Sequence, residues 1–278
     1  MSLPLEGVRV LELGQIIAGT YGSQVLSDLG AEVIKVEPPD GDLGRIPSVA
    51  PYRGLSALFL TFNRNKKSIV INLKTEAGRE VFYGLVKISD VVVDNFRPGV
   101  LERLQVDYGT LSRINPRLIQ CSVTGFGTAG AYKDYPALDL IIQAISGHMA
   151  ITGEPRRPPV RVGIPLADMS GGIYSCKGIL AALYARERTG RGQRVEISMF
   201  DAMLNLLSYI GTLWLTDGVL PQPPGSAHDY SVPWQAFEAK DGHLVVATRQ
   251  EGFWRKLCDA LEEPGLAADP RFATNADR

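Results

Sequence analysis

The sequence predicts an α/β protein with a Rossmann-like large domain, built on a mostly parallel sheet, and a smaller α+β domain. Short apolar runs rich in β-branched residues alternate with helical patterns over the first two thirds of the chain, as is typical of parallel strands covered on both faces. The 278 residues, 45% of them hydrophobic, suffice for one sizeable core and part of a second. A Pro-rich stretch at 221–229 then introduces a different pattern.

The chain begins with a β-α-β unit. Residues 8–13 (VRVLEL) predict a strand, residues 18–30 a helix closed by Gly30, and residues 31–39 a second strand that ends at prolines. The same patterns predict a strand at 66–73, a helix at 75–89, a strand at 90–96, a short helix at 98–104 with proline in its first turn, and a strand at 118–123.

Later elements continue the alternation. They are a helix around 138–147, a Pro-rich segment at 153–163, a helix from about 170 to 188, and a strand at 193–198. The apolar run 203–215 is interrupted by Asn205 and Ser208 and is shorter than the roughly 20 residues of a membrane span, so it predicts a buried helix.

The composition shift divides the chain into a large domain, 1–220, and a small domain, 221–278. Within the small domain, Asp241-Gly242 predicts a β-hairpin, and a helix follows at 252–263. Residues 269–278 resemble the entrance to another helix, so we expect the small domain to be incomplete at its C-terminus.

The net charge and the spacing of the cysteines and histidines limit which partners, cellular location and metal sites are expected. Lysine and arginine number 29 against 30 aspartates and glutamates, a net charge of −1, so neither nucleic acid nor a membrane is expected as a partner. The three cysteines are widely spaced, which favours reduced thiols in a cytoplasmic protein. The three histidines are far apart and no C-x-x-C pair occurs, so no metal site is predicted.

One stretch matches a nucleotide fingerprint. Gly125, Gly127 and Gly130 form a literal G-x-G-x-x-G after a predicted strand. The fingerprint also needs a helix that opens on its last glycine, and Pro136 disfavours a helix there. A dinucleotide site is therefore not predicted.

Asp168 is the candidate nucleophile. It follows an apolar run and precedes a small-residue helix start, where helix dipole and free N–H groups favour the ionised carboxylate. The simpler interpretation is an N-cap aspartate. Gly171 and Gly172 weaken the helix, which is acceptable if a substrate approaches the backbone.

Basic residues stand near strand ends. Lys66, Lys67, Arg97 and Arg103 are candidates to bind an anionic ligand, although each is equally well explained as part of a solvated surface. Three arginines precede Asp168 in a Pro-rich loop and are either ligands for a second carboxylate or, as we favour, solvated. They are Arg156, Arg157 and Arg161.

Taken together, ordered motifs along nearly the whole chain resemble the class III CoA-transferases, the family of formyl-CoA and carnitine CoA-transferases, related to the α-methylacyl-CoA racemases. The matching stretches are LEGVRVLEL, LSDLGAEVIKVEPP, FNRNKKSI, DNFRPG, SVTGFG, PLAD, TGRGQ and YSVPWQAFEAKDGHL. The resemblance makes GFGTAG the family's loop before the catalytic region.

The resemblance implies a CoA-transferase that works through aspartyl anhydride and aspartyl–CoA thioester intermediates on Asp168. It implies an interlocked ring homodimer, with acyl-CoA as substrate and no tightly bound cofactor. The positions that would hold CoA are Gln15, Ile16, Ile17, Ala18, Ile71, Asn72, Leu73, Lys74, Asn95, Phe96, Arg97, Arg103, Ala137, Leu138 and Asp139. Pro38 replaces a basic residue of formyl-CoA transferases, which argues against formyl–oxalate specificity.

Three alternatives remain open. An α-methylacyl-CoA racemase would carry a G-H-D motif where this chain has Ala137-Leu138-Asp139, and leucine cannot transfer a proton. A noncatalytic CoA-binding protein would not need Asp168. NAD-linked oxidoreduction is the third alternative, based on the glycine fingerprint alone.

Overall fold

The computed structural model describes residues 2–46 and 52–278. Its main sheet has six strands: β1 (Arg9–Glu12), β2 (Glu32–Glu37), β3 (Lys66–Val70), β4 (Val91–Asp94), β5 (Ile119–Thr124) and β6 (Arg194–Ser198). All neighbours are parallel, in the order β3-β2-β1-β4-β5-β6. This is the doubly wound order of Rossmann-like proteins, so the predicted fold class is confirmed.

Ten α-helices lie in the described ranges: α1 (Ala18–Asp28), α2 (Ala57–Asn63), α3 (Glu76–Lys87), α4 (Val100–Arg103), α5 (Tyr108–Ile114), α6 (Asp139–Ile145), α7 (Leu166–Thr189), α8 (Met199–Leu206), α9 (Ser208–Asp217) and α10 (Glu251–Ala260). Side-chain caps explain several starts; the Thr75 hydroxyl, for example, accepts from the backbone N–H of Gly78. No helix among these residues is long and apolar enough to span a membrane.

The two faces of the sheet bury separate cores. On one face, Leu26 of α1 and Ile179 of α7 belong to the same buried cluster as Val10 and Val93. On the other face, Phe82 of α3 and Leu111 of α5 belong to a cluster with Leu11 and Val92. Successive strand residues thus point to opposite faces. Each fully buried side chain of this size contributes about 1.5–3 kcal/mol, which explains why apolar residues occupy these core positions of the strands.

The chain divides into two compact units. The first contains residues up to 148 together with 162–212, and the second contains 149–161 and 213–278. The second unit holds an antiparallel hairpin of β7 (Trp234–Ala239) and β8 (Gly242–Ala247), followed by α10. The hairpin predicted at Asp241-Gly242 is therefore confirmed, while a single domain boundary at 220/221 stays a prediction.

The apolar run 203–215 departs from the prediction of one buried helix. The chain breaks between α8 and α9 at Ser208, whose φ is 56°. Ala202 and Met203 are buried, but Leu206 is 43% and Leu215 76% exposed. The prediction was wrong because the run is broken at Ser208, and the described residues bury part of α8 but no residue of α9.

Candidate active site

The loops after β1 and β4 meet where the strand order of the sheet reverses. β1 and β4 are neighbours, and the chain leaves them toward opposite edges of the sheet. Ligands of doubly wound sheets bind in the crevice that this reversal creates at the carboxyl ends of the strands. Two hydrogen bonds of 2.9 Å join the loops here: the Gln15 N–H donates to Asn95 Oδ1, and Asn95 Nδ2 donates to the Gln15 carbonyl.

A cavity of about 470 Å³, here called the strand-end cavity, opens on the β1–β2–β3 side of the crevice. Apolar side chains make much of its wall, and Lys74 and Arg103 place cations on it. Neither cation forms an ion pair with any residue in the described ranges. Two carboxylates also line the cavity: Glu37, which pairs with Arg45, and Asp40. The apolar surface with the two unpaired cations suits a phosphorylated ligand with a planar base.

A second cavity of about 220 Å³, the aspartate cavity, lies over the ends of β1, β4 and β5. Its wall includes Asp168, Asp139 and the β1–α1 loop. Phe96 lines both cavities. A ligand long enough to pass Phe96 would reach from the two cations to the Asp168 carboxylate.

Every residue that the family resemblance assigned to the site lines one of the two cavities. The strand-end cavity is lined by Gln15, Ile71, Asn72, Leu73, Lys74, Phe96 and Arg103. The aspartate cavity is lined by Ile16, Ile17, Ala18, Asn95, Phe96, Arg97, Ala137, Leu138, Asp139 and Asp168. Leu138 is 70% exposed.

Asp168 is not the N-cap of its helix. α7 begins at Leu166, four residues earlier than predicted, with Pro165 at the N-cap and Asp168 in the first turn. Asp139 takes the capping role from α6: its Oδ1 accepts from the Ala167 N–H at 2.8 Å and from the Asp168 N–H at 3.3 Å. Because Asp139 occupies these donors, the Asp168 carboxylate is left without them.

The electrostatics of Asp168 are the reverse of the sequence-based expectation. Burial, and secondly the nearby Asp139 carboxylate, raise the pKa of Asp168 from 3.8 to about 7. The helix terminus was expected to favour the ionised form, but its N–H groups serve Asp139 instead. A carboxylate with this pKa is ionised in a useful fraction near neutral pH, which suits a nucleophile or a base.

Gly171 and Gly172 have a packing role rather than a role in substrate access. A Cβ at Gly172 would lie 2.8 Å from Tyr21 Cβ and 3.1 Å from the Gly22 nitrogen, both in α1. A Cβ at Gly171 would lie 3.0 Å from Val123 Cγ1 and 3.1 Å from Met199 Cγ. The glycines let α7 approach α1, β5 and α8 closely and so fix where Asp168 stands.

Two of the basic candidates are engaged elsewhere. Lys66 Nζ is buried and lies 2.6 Å from Glu12 Oε2, and the exposed Lys67 Nζ lies 2.6 Å from Glu32 Oε1. Both residues stand at the start of β3, away from its carboxyl end. Lys66 belongs to a buried charge cluster that the sequence did not reveal, because its members are far apart along the chain.

Lys133, Tyr135 and Met199 are among the residues that line the aspartate cavity without having been predicted for the site. Met199 directly follows β6, so the rule that places ligands at strand ends would have found it. Lys133 and Tyr135 lie in the segment between the glycine loop and α6. No helix opens on Gly130, since α6 starts only at Asp139, so the helix that the nucleotide fingerprint requires after its last glycine is missing here.

Comparisons with known proteins place these features in context. The family model described as CoA-transferase family III matches residues 5–278. The chain is 45% identical to the acetyl-CoA:oxalate CoA-transferase of Acetobacter aceti, over 99% of this chain and 71% of that protein. It is 41% identical to the succinyl-CoA:mesaconate CoA-transferase of Haloarcula marismortui, over 95% of this chain and 69% of that protein.

A solved structure agrees at the level of the fold. A CaiB/BaiF family protein from Brucella suis is similar with a TM-score of 0.91 and 41% sequence identity. The match covers all of this chain and 75% of that one.

Proposed function

Because this chain is a CoA-transferase of family III, we propose that it moves CoA from an acyl-CoA donor to a carboxylic acid by covalent catalysis on Asp168. The observation that carries this proposal is the placement of Asp168. It is a partly buried carboxylate with its pKa raised to about 7, in a cavity that meets a second, cationic cavity at Phe96. A noncatalytic protein that only bound CoA would have no use for such a carboxylate.

The proposed reaction conserves the energy of the thioester. An Asp168 oxygen attacks the thioester carbon, the C–S bond breaks, and an acyl–aspartyl anhydride and the CoA thiolate form. The thiolate then attacks the Asp168 carbonyl, releasing the donor acid and leaving an aspartyl–CoA thioester. An acceptor carboxylate repeats these two exchanges in reverse order. No step consumes water, so exclusion of water from the aspartate cavity is essential.

The two cavities suit the two ends of the donor. Lys74 and Arg103 would hold phosphate groups of CoA in the strand-end cavity, since neither has a carboxylate partner in the described ranges. Asn72 and Leu73 would border the nucleotide, and Phe96 the chain that leads to the thioester. Asn95, Ile17 and Ala18 would face the acyl group beside Asp168.

The choice of acid is proposed from the relatives. One named relative acts on oxalate and another on mesaconate, and both acids carry two carboxylates. We therefore expect a dicarboxylic acid as acceptor. A screen of CoA esters against mono- and dicarboxylic acids, followed by mass spectrometry, tests this expectation; transfer to monocarboxylates alone would contradict it.

A cytoplasmic location and a homodimeric assembly are also proposed for this chain. All three cysteines are free and buried, which suits a cytoplasmic protein. A homodimer is proposed from the exposed apolar residues of α8 and α9 and from the resemblance to interlocked family dimers.

The substitution Asp168→Asn tests the nucleophile directly. We expect CoA transfer to be abolished while folding and CoA binding persist, because an amide cannot form the anhydride. Since Asp168 is not the cap of α7 and its charge is disfavoured by burial, the variant should melt no lower than the wild type at pH 8. Transfer is followed by mass spectrometry of the CoA esters, and melting by calorimetry.

The matched control is Asp201→Asn. Asp201 occupies the same position in the first turn of α8, but its side chain is exposed, so this variant should retain full activity. Incubation with acyl-CoA and trapping by hydroxylamine or borohydride should label a peptide within 162–177 in the wild type only. CoA transfer by Asp168→Asn, or a label on Asp139, would contradict the proposed mechanism.

A further inference from the structure

The β1–α1 loop carries a strained residue on the wall of the aspartate cavity. Ile16 has a φ of 65°, in the left-handed region that β-branched residues rarely adopt. It lines the aspartate cavity next to Ile17 and Ala18. A backbone in this state persists only where its surroundings hold it.

The contact that holds Ile16 comes from outside the cavity. The Ile16 N–H donates to Asp42 Oδ1 at 3.3 Å, and the Gly44 N–H donates to the same oxygen at 2.6 Å. Asp42 is itself fixed, because its N–H donates to Glu37 Oε2 at 2.9 Å. Asp42 lines neither cavity of the site, so any effect on catalysis must pass through the loop.

Behind the loop lies a buried charge cluster, formed by Glu12, Lys35, Asp42 and Lys66. Their side chains are at most 2% exposed. Lys35 Nζ lies 2.6 Å from Glu12 Oε1 and 2.5 Å from Asp42 Oδ2, and Lys66 Nζ lies 2.6 Å from Glu12 Oε2. Two cations and two carboxylates balance each other, as burial requires.

The cluster also holds the backbone on both sides of Ile16. Lys35 Nζ donates to the Gly14 carbonyl and Lys66 Nζ to the Thr20 carbonyl, both at 2.8 Å. Segment 14–20 is thus attached at its start, at Ile16 and at its end to one charge cluster. Buried ion pairs often contribute little stability relative to apolar residues of equal size, so stability is a weak explanation for four charges here.

We propose that this cluster is a positioning device for catalysis, in which Asp42 holds the strained Ile16 so that Ile16–Ala18 face Asp168 in the geometry that acyl transfer needs. The inference rests on the proposed function, because it assigns the loop to the acyl end of the substrate. Asp42 is a positioning residue and does not touch substrate. Displacement of a positioning segment by about 1 Å can reduce a rate by about 100-fold.

The test compares Asp42→Ala, Asp42→Asn and the control Asp28→Asn. Asp28 is a partly exposed residue at the end of α1 that pairs with Arg64 and lines neither cavity of the site. In Asp42→Ala we expect kcat for acyl transfer to fall about 10- to 100-fold, with the KM for acyl-CoA changed less than threefold. Asp42→Asn keeps an oxygen for the Ile16 N–H and should lose less activity than Asp42→Ala. The control should match the wild type.

Hydrogen exchange of segment 14–20, measured by mass spectrometry on each purified full-length protein, is the second readout. Exchange should accelerate in Asp42→Ala, less in Asp42→Asn, and not in Asp28→Asn. Unchanged exchange, or a kcat within twofold of wild type at a temperature where the variant is folded, would overturn the inference. Should Asp42→Ala fail to fold, Asp42→Asn carries both readouts.

Failure of the proposed function would be seen separately. A wild-type protein that transfers CoA from none of the thioesters screened contradicts the proposed function, whereas segment 14–20 can be measured in the same protein without turnover. Faster exchange in the Asp42 variants would then retain the positioning of Ile16 and discard its link to acyl transfer.

Discussion

At the scale of single residues, Asp168 shows what a local pattern predicts and what it leaves out. The motif before the helix singled out a side chain that lines the aspartate cavity, because an aspartate at a helix start is a chemically distinctive position. Its ionisation was predicted in the wrong direction. That error arose because Asp139, 29 residues earlier, takes the α7 N–H groups, and no local pattern reveals this contact.

The raised pKa of Asp168 predicts that the pH–rate profile of the reaction has an acid limb, over which the rate falls as the pH is lowered. Only the carboxylate attacks the thioester, so below about pH 7 the rate of CoA release in a single turnover should fall about tenfold per pH unit. In Asp139→Asn the nearby negative charge is lost while an oxygen remains to accept from the Ala167 N–H. The limb should therefore move to lower pH, measured by thiol release at pH 5 to 9.

The shift of the acid limb in Asp139→Asn should be limited. Burial is the larger cause of the raised pKa of Asp168 and persists in the variant, so the limb should not reach the ordinary value of 3.8. An acid limb that stays in place in Asp139→Asn would show that Asp139 does not raise the pKa of Asp168 during the reaction. The Asp201→Asn variant, tested alongside, should keep the wild-type limb.

At the scale of elements, the strands and most helices follow from local chemistry. Sequence patterns predicted all six strands of the sheet, most clearly the central β4 and β5, whose residues are all buried. The start of α7 was missed by four residues. Pro165 can precede a helix, and the N–H groups of the first turn are satisfied by Asp139, whereas the sequence pattern offered Asp168 as the cap.

The contact between α1 and α7 predicts an unusual response to alanine. Alanine favours a helix over glycine by about 1 kcal/mol, so Gly84→Ala in α3, where nothing lies within 4 Å of the new Cβ, should stabilise the protein. Gly172→Ala should destabilise it by about 1–3 kcal/mol, because the Cβ would lie 2.8 Å from Tyr21 Cβ. Midpoints of urea unfolding compare the two.

The comparison of these two variants also tests the role of Gly172. If Gly172→Ala were as stabilising as Gly84→Ala, the close approach of α1 and α7 would not depend on this glycine. A loss of stability with normal CoA affinity would agree with a packing role that is separate from ligand binding.

At the scale of the whole molecule, the class and the location of the site were predictable, and the buried charges were not. The family resemblance assigned Gln15 and Asn95 to one candidate site, and the reversal of strand order explains why the loops after β1 and β4 bring them together. The cluster of Glu12, Lys35 and Lys66 depends on strand neighbours. The order of charged residues along the chain does not reveal which side chains come into contact, because the register of the strands is not known from it.

The exposed apolar residues of α8 and α9 lead to the last prediction. Leu204, Leu206, Trp214 and Leu215 are each more than 40% exposed, and a chain rarely leaves so many large apolar side chains in water unless another surface covers them. We expect a second copy of this chain to cover them, so that sedimentation gives twice the chain mass and dilution to nanomolar concentration yields no folded monomer. Leu206→Asp should weaken the dimer, whereas Val81→Asp, on the exposed face of α3, should not. A compact wild-type monomer at micromolar concentration would contradict the prediction.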